Sequence, residues 1–142
     1  MIVIAAVDDN NGMMFNHRRQ SQDRNLRNYI LEMVKGSRLF MNEYTYRQFA
    51  EMGGAGSICV AENFLECATD DDYCFVENMP LSSYETSVNK IILFKWNRRY
   101  PADFYFDISL SELKWKLTET EDFRGSSHEK ITREVYERCT EK

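Results

Sequence analysis

The sequence predicts an α/β domain on a mixed sheet, and three observations carry that prediction. Continuous apolar runs such as Ile2 to Val7 and Ile91 to Trp96 need cover on both faces, as inner parallel strands do. Between such runs lie stretches with apolar residues spaced by three and four, the mark of an amphipathic helix. Near the end, Leu113, Trp115 and Leu117 alternate with Lys114, Lys116 and Thr118, as in a strand with one covered face. With 142 residues, 43% of them hydrophobic and 13% aromatic, the chain suits a single domain over residues 1–142 with a real core.

The elements follow in order. Ile2 to Val7 is a buried strand ended by Asp8-Asp9-Asn10-Asn11-Gly12. Residues 13–23 read as a long polar loop, apart from Met13, Met14 and Phe15. From Asn25, the stripe Leu26, Tyr29, Ile30, Met33 and Val34 predicts a helix, with Gly36 at its C-cap. Arg38 to Met41 is a second strand. Asn42 can cap a helix holding Tyr46, Phe49 and Met52, stopped by Gly53-Gly54. Ser57 to Val60 is a third strand, Phe64 to Ala68 a short helix capped by Asn63, and Asp70-Asp71-Asp72 a solvated turn. Tyr73 to Val76 is a fourth strand. Pro80 suits the first turn of a helix reaching about Val88. Phe104 to Phe106 is a brief extended piece, and Gly125-Ser126-Ser127 a turn. Residues 129–139 fit a helix or a strand equally well.

Composition sets limits on function. A formal charge of −5 argues against a dedicated nucleic-acid binder. No run approaches the ~20 apolar residues of a membrane span. MIVIAAVDDNNG lacks a basic n-region and turns acidic at once, so a buried strand and a cytoplasmic location are expected. Cys59, Cys67, Cys74 and Cys139 lack metal-ligand spacing and are expected to be buried apolar residues; no metal site is expected. There is no G-x-S-x-G, P-loop or H-E-x-x-H motif.

The order of the pieces resembles dihydrofolate reductase and the reductase domain of riboflavin biosynthesis. IVIAAVDDNNG is similar to that family's first strand and following loop, and RLFMNEYTYRQF to its second strand and the helix beneath the cofactor. CFVENMPLSSYETSVNKIILFKW resembles its cofactor half, YPADFYFD its G-D-T-x-F-P region, and HEKITREVYER its final strand. The resemblance implies a three-layer α/β/α fold, trimmed between Gly53 and Asp72, in which residues 129–139 form a strand closing a C-terminal antiparallel hairpin.

The resemblance also marks departures. Counting back from Met41, the family's buried carboxylate position falls on Leu26, and Asp23 lies almost one turn earlier. Where the family places Gly-Gly to dock a dinucleotide pyrophosphate, this chain has Glu77-Asn78, and after Met41 it has Asn42-Glu43. Two carboxylates there would repel a phosphate. The expectation is therefore a bacterial, cytoplasmic protein with a degenerate active site, no NADPH, and an unknown small ligand or protein partner. Its ligand-binding candidates are His17, Arg18, Arg19, Glu43, Thr45, Glu77 and Asn78. The rival expectation is an NAD(P)H-dependent reductase with Asp23 as proton relay and His17, Arg18 and Thr45 at the phosphates. A distant third is an RNA- or nucleotide-processing enzyme using His17. Asp23 is otherwise expected to be a solvated acid at a helix start.

Overall fold

The computed structural model describes residues 1–50 and 58–139. Met52, the Gly53-Gly54 stop and Ser57 fall outside the described residues. Strand β1 (Ile2–Val7) is flanked in parallel by β6 (Tyr73–Phe75) and β7 (Lys90–Lys95). Beyond β6 come β4 (Leu39–Met41) and β5 (Ile58–Val60), also parallel. On the far side β10 (Ile131–Arg138) runs antiparallel to β7, and β9 (Trp115–Phe123) antiparallel to β10. The sheet order is β5-β4-β6-β1-β7-β10-β9, so the tail is a strand and the closing hairpin is present.

Alternation along β1 builds a core on each face. Ile4 packs with Leu26, Ile30 and Val34 from helix α1 (Arg24–Met33) and its end, and with Phe49, Phe94 and Ile131. Val3, Ala5 and Val7 face the other core, with Phe64 and Leu65 of α3 (Phe64–Cys67) and with Leu81, Val88 and Trp115. Helical layers on both sides of a mixed sheet make the three-layer α/β/α arrangement.

Several elements differ from expectation. Residues 12–19 are a hairpin, not a loop: β2 (Gly12–Phe15) pairs with β3 (Arg18–Arg19), and β2 also pairs with β8 (Phe104–Tyr105). Asn16 and His17 both take positive φ (55° and 63°), the pattern of a type I′ turn. The turn lacks the glycine that usually announces it, which hid the hairpin. The segment after Pro80 winds as a 3-10 helix, Ser82–Ser87, with no buried residue to hold a wider turn. Helix α2 is short (Glu43–Tyr46), although Asn42 does cap it. Asn63 makes no cap bond; its side-chain oxygen accepts from Cys67 Sγ instead.

Leu113, 82% exposed, lies before β9, and Leu117 is 47% exposed, because β9 is an edge strand covered only at its two ends, by burial of Trp115 and by stacking of Phe123 on Tyr29. Among the cysteines only Cys74, in the central sheet, is buried; Cys59 and Cys139 are half-buried and Cys67 is exposed. Asp72 is not solvated: it is buried and takes the Arg38 guanidinium at 2.7 and 3.0 Å, with Thr69 donating from its backbone N–H and its hydroxyl.

Candidate functional site

The carboxyl ends of β4, β6 and β1 open toward one crevice, the place where open α/β sheets take ligands. Just past β6, Glu77 is held in it by several donors. Arg19 binds it bidentately, Nε at 2.9 Å and Nη2 at 3.1 Å. Thr45 Oγ1 donates at 3.0 Å and Gln48 Nε2 at 3.1 Å. Arg19 also donates from Nη2 to the Tyr44 carbonyl, and its guanidinium lies 4.4 Å from the Tyr44 ring centroid. Burial opposes the Arg19 charge, but the Glu77 pairing outweighs it and holds the guanidinium above its usual range. Beside this cluster Asn42 Nδ2 donates to Asn78 Oδ1 at 2.9 Å, while Asn42 Oδ1 caps α2 through Thr45 N.

The structure thus brings Arg19, Thr45, Glu77 and Asn78 together, joined by Asn42, which the sequence offered as a helix cap, and by Tyr44 and Gln48, which it did not single out. It does not bring the other candidates there. His17 and Arg18 are exposed at the hairpin end. Glu43 is exposed and pairs along its own helix with Arg47 at 3.6 Å. The crevice at Glu77 is filled by the chain's own side chains.

A second cluster lies at the start of α1. Leu26 is a core residue, as an apolar side chain at that position demands. Asp23 is the N-cap and is buried at 2% exposure, which corrects the expectation of a solvated acid. Its Oδ1 accepts from Leu26 N at 3.1 Å and Ser126 N at 2.9 Å. Its Oδ2 accepts from Ser127 N at 2.9 Å, from Ser127 Oγ at 3.2 Å, and from His128 Nδ1 at 2.9 Å. Burial works to raise its pKa, but the hydrogen bonds from His128 and the Ser126, Ser127 and Leu26 amides prevail and hold the carboxyl well below the usual range. What covers Asp23 is the β9–β10 turn, whose backbone N–H groups the carboxylate gathers.

Gly125 begins that wrap. A Cβ there would collide with Asp23 Oδ2 and lie 3.0 Å from Asp23 Cγ and from the His128 carbonyl oxygen. Gly125→Ala is therefore expected to destabilise by about 1–3 kcal/mol through overpacking, read from a denaturant midpoint. A midpoint at or above that of the unaltered chain would contradict this packing.

Asp8, fully buried at the end of β1, is also saturated, accepting from the N–H groups of Asn10, Gly12 and Tyr100 and from Gln20 Nε2. Burial opposes its charge, and those donors again win, lowering its pKa; Asp72 is lowered in the same way by Arg38 and Thr69. A depressed folded pKa gives stability that is present above the unfolded value, near 3.9, and lost as pH falls through the folded value. Stability is expected to be flat above about pH 5 and to drop steeply below about pH 4. A melting-temperature series across that range checks it, and an acid-insensitive profile would count against these three carboxylates being paired.

No protein-family profile matches the sequence, and no curated protein matches it. Among solved structures, dihydrofolate reductase from Enterococcus faecalis, complexed with NADP(H) and RAB-propyl, aligns with a TM-score of 0.67. The alignment covers 98% of this chain and 96% of that one at 12% sequence identity. At that identity the likeness establishes the fold: this chain has a dihydrofolate reductase-like architecture. No helix among the described residues is long and apolar enough to cross a membrane.

Proposed function

We propose that this protein keeps a dihydrofolate reductase-like frame without its reductase reaction, and serves bacterial cytoplasm as a small binding or accessory protein for a small ligand or protein partner. It is non-catalytic in hydride transfer and needs no NADPH. The observation that carries this reading is the Arg19–Glu77 ion pair, braced by Thr45 and Gln48, in the crevice at the end of β6. A dinucleotide phosphate entering there would have to displace Arg19 and face the Glu77 carboxylate, a repulsion of several kcal/mol in a partly dry cleft at ~4 Å. The state of Asp23 supports the same reading. A carboxylate with its acceptor sites filled and its pKa depressed holds no proton at neutral pH to give a substrate.

NADPH titration tests this. No melting shift is expected up to millimolar cofactor. A ligand at ten-fold excess over its dissociation constant would stabilise the fold by about 1.4 kcal/mol, an easily read amount. A saturable shift that Arg18→Ala abolishes would overturn the proposal in favour of a reductase with a rearranged site.

A further inference from the structure

The outer side of β9 has an unusual spacing, set by its pairing with β10. Cys139 N–H donates to the Lys114 carbonyl at 2.8 Å, so from residue 139 every second residue of β10 turns its backbone groups toward β9. The β9 partners of those residues are Lys116, Glu119, Glu121 and Phe123. Trp115, Leu117, Thr120 and Asp122 therefore turn their N–H and C=O groups outward, where no strand among the described residues pairs with them. The bulge, which leaves Thr118 out of the ladder, sets these four positions two, three and two residues apart. An ordinary strand, regular at two, matches only one arm of that pattern. A second β9 running the opposite way matches all of it.

We propose that β9 pairs with β9 of a second copy of this chain, antiparallel about a two-fold axis, so that one continuous sheet runs through both molecules. In this register Leu117 faces Thr120 and Trp115 faces Asp122 as hydrogen-bonded pairs. Lys116 faces Glu121, and Thr118 faces Glu119, as the non-hydrogen-bonded pairs whose side chains stand closer. Each pairing occurs twice, once on either side of the axis. The charges agree with it. Lys116 is exposed and has no ionic or hydrogen-bonded partner among the described residues of its own chain. The Glu121 side chain is 53% exposed, with Arg133 Nε at 3.7 Å, and stands opposite Lys116 of the other copy. The two Glu119 carboxylates meet near the axis, each answered by its own Arg133 Nη2 at 2.8 Å. Leu117, a large apolar side chain that the single chain leaves 47% exposed, lies close to the middle of the seam. Edges kept from pairing often carry proline or are very short. β9 has nine residues and no proline or glycine.

This inference concerns assembly and stands independently of the NADPH result. The test is the mass of the whole chain in solution, read by sedimentation from micromolar to sub-millimolar concentration. A dimer is expected, with no larger species. Thr120→Pro deletes one outward N–H that its own chain does not use, a change an edge strand tolerates, and should leave a folded monomer. Lys116→Glu sets like charges opposite each other twice and should weaken association at least about 10-fold. Glu121→Lys should do the same. Mixing those two variants restores Lys–Glu pairs on both sides of the axis, so the mixture should dimerise where each alone does not. If Glu121→Lys unfolds, Lys116→Glu and Thr120→Pro still decide the matter. A chain that stays monomeric at every concentration leaves this edge to another partner and overturns the proposal. So does a dimer that survives Thr120→Pro, which would be joined through another face, or a mixture of two folded variants that fails to reassemble.

Discussion

Replacing Asp23 with alanine is expected to destabilise the protein by roughly 3–5 kcal/mol, the range for breaking a buried, hydrogen-bonded pair from one side. Among the described residues the carboxylate is the only acceptor for the backbone N–H groups of Ser126 and Ser127, and it also holds Ser127 Oγ, His128 Nδ1 and the first turn of α1. Removing it strips all of these at once and leaves the buried His128 Nδ1 with only its longer contact to Ser127 Oγ at 3.3 Å. Asp23→Asn should be milder, because the amide oxygen can still accept from part of the set, but its NH2 would oppose the remaining donors. Chemical denaturation of the two variants at pH 7 separates the cases. Below about pH 4, where the unfolded Asp23 takes up a proton that the native carboxylate does not, the gap between wild type and Asp23→Ala should narrow progressively as pH falls. A loss below about 1 kcal/mol at pH 7 would mean that the turn is held by other contacts.

The second large effect is at Glu77. Glu77→Ala leaves the Arg19 cation, only 19% exposed, together with the Thr45 hydroxyl and the Gln48 amide, all deprived of one acceptor. An expected loss of about 3 kcal/mol follows from stranding a largely buried charge. Arg19→Ala should be gentler, about 1–2 kcal/mol, because Thr45 and Gln48 still donate to Glu77 and water can enter from the hairpin side. That ordering is the informative result. If Arg19→Ala proved the more damaging, the guanidinium's stacking on Tyr44 and its bond to the Tyr44 carbonyl would matter more than its charge. A double-mutant cycle between the two positions gives the coupling directly.

How much of this was legible in the sequence depends on how far apart the interacting residues lie. Ile2 to Val7, Leu39 to Met41 and Lys90 to Lys95 are local apolar runs, and each is a strand within a residue or two of its expected bounds. The Asn42 cap and the stripe of α1 are equally local. Residues 129–139 could not be settled locally, and the ordering of the other elements chose the strand correctly. The hairpin at residues 12–19 was missed because Met13, Met14 and Phe15 do not alternate in polarity, and its turn is made by Asn16-His17. At the candidate sites, Glu77 and Arg19 were each singled out, but their pairing spans 58 positions of chain and has no sequence signal. Asp23 read as a solvated cap for the same reason. Its donors Ser126, Ser127 and His128 stand 103 to 105 residues away, and nothing near Asp23 announces them.

That separation also fixes an order of events during synthesis. As the nascent chain emerges, α1 can form with Asp23 capping Leu26 alone, and the other partners of the carboxylate do not yet exist. They arrive only when β9 and β10 are complete, and β10 must lie against β7 before β9 has a place in the sheet. Closing so long a loop delays the step entropically. Until it is taken, a solvated Asp23 and the unpaired outer edge of β7 are both exposed, so the interval just before the hairpin docks is when this chain is most open to misassembly.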